Sequence, residues 1–139
     1  MRLVTLALGL LFLTLAPARA EPSPTDRTSF QQIIAAQMSA FRVDDGVAAF
    51  GFASPGLQAK FGSAATFMEM VKEGYAPVYR PRAVEFRAVV DHNGQPEQQV
   101  FVIGPDGRGY IAHYMMERQP DGSWRISGCY LEPAQDESV

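Results

Sequence analysis

The sequence predicts an α+β domain in which a run of helices precedes a curved four-stranded antiparallel sheet. Three observations predict it. Up to Tyr79 the apolar residues recur at steps of three and four; beyond Tyr79 they alternate with polar ones; and the alternating half is punctuated by Asn93-Gly94, Pro105-Asp106-Gly107 and Pro120-Asp121-Gly122. The first period belongs to one face of a helix, the second to one face of a strand.

The helices follow in order. Phe30, Ile33, Ile34, Gln37, Met38 and Phe41 lie on one face of a helix from about Arg27 to Arg42. Asp44 can accept from free amides and open a second, short helix carrying Val47 and Phe50. Ser54-Pro55 is a cap followed by proline at the first helical position, and it opens a third segment through Leu57 and Phe61. Ser63 caps a fourth, with Phe67, Met70 and Val71 as its stripe and Gly74 as its stop. Pro77 and Pro81 stiffen an extended crossing into the sheet.

The strands read as 83–91, 98–103, 109–118 and 123–131. In a Pro-Asp-Gly loop, proline presets the first turn residue and glycine takes the positive φ at the third, so the register is set. For the last hairpin this pairs Arg118 with Trp124, Glu117 with Arg125, Met116 with Ile126, Tyr114 with Gly128 and His113 with Cys129. For the preceding one it pairs Val102 with Tyr110, Val100 with Ala112 and Gln99 with His113. In the first hairpin a two-residue Asn93-Gly94 turn would place Glu85 and Arg87 on the face of Val100 and Val102. A three-residue loop instead aligns Phe86 with Val102 and Ala88 with Val100, and is preferred because the other choice buries two charges. One face then holds Phe86, Val100, Val102, Tyr114, Met116, Trp124 and Ile126. That face is expected against the helices, leaving a cone with an open end as the ligand site.

The ends are read separately. Arg2, the apolar run from Leu3 to Leu15 and the small-x-small site Ala18-Arg19-Ala20 make residues 1–20 a secretory signal peptide, the run being too short to span a membrane. The protein is therefore expected to be exported, to the periplasm or beyond. Residues 21–27 read as a flexible linker, 28–131 as a single α+β domain and 132–139 as an acidic disordered tail. Of the 12 basic residues, cleavage removes Arg2 and Arg19, leaving ten against 15 acidic. With no basic stripe, nucleic acid and anionic membrane surfaces are not expected as partners. The chain has one Cys and two His and no ligand spacing, so neither an internal disulfide nor a structural metal is expected, and no cofactor motif appears.

Two strings are distinctive: FASPGLQAKFGSAATFMEMVKEGYAPVYRP at 52–81 and ERQPDGSWRISGC at 117–129. In them the chain resembles the exported bacterial family called domain of unknown function 4864, over Phe30 to Leu131. That family is similar in plan to the cone-shaped superfamily named for nuclear transport factor two. The resemblance implies the fold and the exported location, and no activity.

Three groups of residues are candidates for chemistry. Gln99, His113 and Cys129 would share the outer sheet face, where a thiol beside an imidazole could form a thiolate. The competing reading is a dimer contact, with Phe101, Ile111 and Met115 around it. Gln37, Gln98, Tyr110 and Tyr114 would point into the cone, and buried polar groups must be paired or serve a ligand. Tyr79 and Arg80 would form the rim and could hold an anionic group; the competing reading is a rigid connector. The Asp44-Asp45 and Asp91-His92 pairs make poor chelates. The expected function is a non-catalytic module that binds a small apolar molecule or another protein, with a homodimer through the outer face. The alternative is a cofactor-free isomerase or dehydratase polarising a small hydrophobic substrate with Tyr114 and Gln37.

Overall fold

The computed structural model describes residues 21–135. The expected signal peptide lies outside the described residues, as does the end of the expected tail. The elements are α1 (Pro24–Arg42), α2 (Gly46–Gly51), α3 (Pro55–Phe61), α4 (Ala64–Gly74), α5 (Ala76–Tyr79), β1 (Ala83–His92), β2 (Gln95–Ile103), β3 (Gly109–Arg118) and β4 (Trp124–Pro133). The strands form one antiparallel sheet in the order β1-β2-β3-β4. The α+β class is as expected.

Local chemistry explains most boundaries. Ser23 and Asp26 form a reciprocal capping box at the head of α1, with Pro24 in the first turn. Residues 24–27, expected to be linker, are therefore helical. Ser54 and Ser63 cap α3 and α4 through the amides of Leu57 and Thr66. The cap of α2 is Asp45, which accepts from Ala48 N at 3.1 Å, and not Asp44. Gly62 closes α3 with φ 78°, a left-handed position that suits glycine. The crossing after α4 is the short helix α5 where an extended segment was expected, because Pro77 falls in its first turn, where its missing N–H costs nothing.

Both Pro-Asp-Gly turns act as expected: Gly107 and Gly122 have φ 79° and 86°, and Gln119 pairs with Ser123. The registers Val102↔Tyr110, Val100↔Ala112, Gln99↔His113, Met116↔Ile126, Glu117↔Arg125 and Arg118↔Trp124 are all present. Two bulges alter the rest. In β4 an extra residue, Ser127, lies between Ile126, opposite Met116, and Gly128, opposite Met115. Tyr114 therefore pairs with Cys129 and His113 with Tyr130, where Gly128 and Cys129 were expected. In the first hairpin the two-residue turn does form, with His92 opposite Gln95. Its Asn93 and Gly94 both take positive φ, which suits the twist of a tight hairpin. A bulge between Phe86 and Val89 then brings Phe86 opposite Val100, keeping Glu85 and Arg87 off the inner face without the three-residue loop.

The core lies between α1 and the sheet. Phe30, Ile34, Met38 and Phe41 pack on Val100, Val102, Ala112, Met116 and Ile126, all almost fully enclosed. Phe30 meets the Trp124 ring edge-on at 4.8 Å. The free edge of β4 is partly covered where the α2–α3 link runs beside it: Ser54 N donates to Ile126 O and Ile126 N to Phe52 O. No helix among the described residues is long and apolar enough to cross a membrane.

Candidate functional site

A cavity of about 380 Å³ opens between the helices and the β4 side of the sheet. Its walls are apolar. Phe41 comes from α1, Phe61 from α3, Phe67 and Val71 from α4, Val78 from α5 and Ile126 from β4. Phe67 anchors the helical wall through ring contacts with Phe41, Phe50 and Phe61 at 6.2, 5.5 and 5.6 Å. Helices α1, α3 and α5 pack against the sheet, and α2 and α4 against the other helices.

The polar groups of the lining divide into spent and free. Gln37, 3% exposed, donates to Ala49 O at 3.1 Å and so ties α1 to α2. The Tyr75 hydroxyl donates to Cys129 O at 2.9 Å. The Tyr114 hydroxyl is different: it is fully enclosed and, among the described residues, meets no nitrogen or oxygen partner, only the neighbouring Cys129 thiol, a weak acceptor. Burial above all, then the neighbouring Cys129 thiol, holds its ionisation well above the ordinary tyrosine range, so it keeps its proton. Burial likewise pushes the Cys129 thiol up to about 12, against a smaller opposing effect from Tyr114. Lys60, at the exposed mouth, is the cation among the described lining residues, 5.7 Å from the Phe61 ring centroid. No carboxylate and no imidazole occurs among those residues.

The expected thiol site does not assemble. The Ser127 bulge turns Cys129 inward beside Tyr114, and Tyr130 takes its place against His113, with the rings stacked 4.3 Å apart. A protonated, half-buried thiol is a poor nucleophile. What His113 meets instead is carboxylate: Nδ1 lies 3.1 Å from Glu97 and Nε2 2.9 Å from Glu132. Glu97, 2% exposed, also accepts from Gln99 at 3.0 Å. Burial opposes its charge, but the bonds from Gln99, His113 and Tyr130 outweigh this and lower its carboxyl below the usual range. Sequence reasoning missed Glu97 because β2 begins at Gln95, three residues before the expected start, and an outward acid in a strand looks solvated. Among the described residues no three His, Cys, Asp or Glu side chains are grouped as a metal site.

The other candidates are not brought to the cavity. Gln98 is buried, with its amide nitrogen donating to Arg87 O and Gln99 O, both at 2.9 Å. Arg87 stands at the β1 bulge, so Gln98 occupies the carbonyl that the broken ladder leaves over. Tyr110 donates to Asp106 at 2.8 Å. Tyr79 and Arg80 converge on Asp44: the tyrosine hydroxyl bonds its carboxylate, Arg80 pairs with it at 3.3 Å, and the guanidinium lies 3.8 Å over the Tyr79 ring. They brace the end of α1 and are not among the residues that line the cavity. The polar lining residues that reasoning from pattern did not single out are Lys60, Tyr75 and Ser127. Tyr75 carries no signal, since it is a helix-end residue in the sequence.

A helical layer on a four-stranded sheet, with an apolar cavity between them, defines a cone-like α+β domain. A family model, Domain of unknown function (DUF4864), matches residues 23–139, and the chain belongs to that family. Among curated proteins none matches. The chain is also similar to the NTF-2 like protein of unknown function from Burkholderia xenovorans LB400. The identity is 12% over 81% of this chain and 89% of that one, with a TM-score of 0.49.

Proposed function

We propose that the domain binds a small apolar molecule between its helices and its sheet. The observation that carries this reading is the cavity of about 380 Å³, whose walls are mostly rings and aliphatic side chains and whose lining includes the Tyr114 hydroxyl, without a nitrogen or oxygen partner among the described residues. Apolar walls with few polar groups are the usual make-up of a small-molecule site. Binding is favoured over isomerisation because the described lining offers no group to take a proton: Tyr114 and Cys129 both hold theirs, and the carboxylates lie elsewhere. The test is native mass spectrometry of the exported protein, followed by titration with an apolar dye. Met70→Trp, which adds bulk to the lining, should weaken dye binding about tenfold; equal binding by both proteins would refute the reading.

Export rests on the N-terminal pattern of residues 1–20. A homodimer through the outer sheet face is a further part of the proposal, supported by Phe101, Ile111 and Met115 standing half-exposed beside Tyr130, itself 44% exposed. Sedimentation should give twice the monomer mass, and Ile111→Lys should halve it; a monomeric wild type removes the dimer.

A further inference from the structure

The inner end of the cavity has a definite hydrogen-bonding deficit, and this says what kind of molecule would fill it. Five polar side chains besides Lys60 line the cavity from α1, the α4–α5 junction, β3 and β4, and of these Ser127 is spent on Gln95 and Met115 O. One Gln37 amide proton is committed to Ala49 O, and the Tyr75 proton to Cys129 O. Cys129 keeps its proton and is a weak donor at best. Tyr114 is the strong donor that, among the described residues, has only the Cys129 sulfur beside it, and sulfur is a weak acceptor. A buried donor left unmatched costs roughly 1–3 kcal/mol, so a molecule that supplies an acceptor recovers that cost on binding.

The charge of the acceptor is also decided. The cation in the described lining, Lys60, stands at the exposed mouth and not beside Tyr114. A carboxylate pushed inward would lose its water and find no counter-charge, which is strongly unfavourable. An uncharged oxygen suffers no such loss.

We propose that the cavity selects molecules with an apolar body ending in an uncharged carbonyl, whose oxygen accepts the Tyr114 proton, while any anionic group stays at the mouth beside Lys60. This rests on the binding reading above and specifies its ligand class. Three probes of nearly one shape separate the possibilities: para-butylacetophenone, the hydrocarbon para-butyl-α-methylstyrene, and para-butylbenzoate. Calorimetric titration of the mature protein should show the ketone binding about tenfold more tightly than the hydrocarbon, with the benzoate weakest. In Tyr114→Phe the ketone and the hydrocarbon should bind alike.

Equal affinities in the wild type, or a preference that survives Tyr114→Phe, would overturn the carbonyl assignment while leaving apolar binding intact. No binding of any probe would overturn both. A readout that needs no variant is the infrared carbonyl stretch of the bound ketone. It should move to lower frequency than in hydrocarbon solvent, and an unmoved band would overturn the assignment.

Discussion

Trp124 Nε1 donates to Asp26 Oδ1 at 3.1 Å, joining the first turn of α1 to the start of β4. The same carboxylate accepts from Ser23 N at 2.9 Å and from Arg118 at 3.2 Å. One side chain thus caps a helix and clasps the hairpin that ends the sheet, so the two layers are fixed at the end remote from the cavity.

Asp26→Ala removes the reciprocal cap and leaves the indole N–H unmatched. Stability should fall by about 1–3 kcal/mol, read as a lower urea midpoint. The Trp124 emission should shift to longer wavelength as its edge is freed. An unchanged midpoint would show that the clasp contributes nothing.

Tyr114→Phe should act in the opposite sense on the unliganded protein. The ring packing is kept and a buried hydroxyl whose neighbour among the described residues is only the Cys129 thiol is removed, so the melting temperature should hold or rise. A fall of several degrees would mean that the hydroxyl is satisfied in solution.

Cys129 should resist alkylation. With the thiol pushed up to about 12 by burial, the native protein at pH 8 should react with iodoacetamide more than about a hundredfold slower than the urea-unfolded chain. Its rate should still be rising well above pH 9. A plateau near the ordinary cysteine value would place the thiol in water.

Glu97 supplies a pH dependence. Its carboxyl is lowered in the folded state, so the unfolded chain binds its proton more readily. The stabilisation is therefore fully present above the ordinary glutamate value of about 4.3 and is lost as pH falls through the lowered one. Glu97→Gln should destabilise most above about pH 5 and progressively less in acid. A difference that is constant with pH would exclude an ionised Glu97 as the source.

Much of the fold was legible because its causes are local. Helical stripes, serine caps and two Pro-Asp-Gly turns act within a few residues, and they sufficed to place Phe86, Val100, Val102, Tyr114, Met116, Trp124 and Ile126 on the face that meets the helices. The cavity was legible in outline for the same reason, as the space between that face and the helical stripes. Its chemistry was legible only in part: Tyr114 and Gln37 were anticipated, whereas Lys60, Tyr75 and the inward turn of Cys129 were not.

What the amino-acid order determined by itself, then, is the succession of elements and the inward face up to Ile126. Tertiary structure decided which way Cys129, Tyr130 and Glu97 would serve. An added residue such as Ser127 reverses every side chain after it in the strand, and whether a strand absorbs one depends on the partner strand and the layer beneath it. Likewise Asp44 looked like a helix cap until Tyr79 and Arg80, 35 and 36 residues away, were folded onto it. Periodicity records the preferences of one segment; a bulge or a distant ion pair is settled by two segments at once, through packing that neither specifies alone.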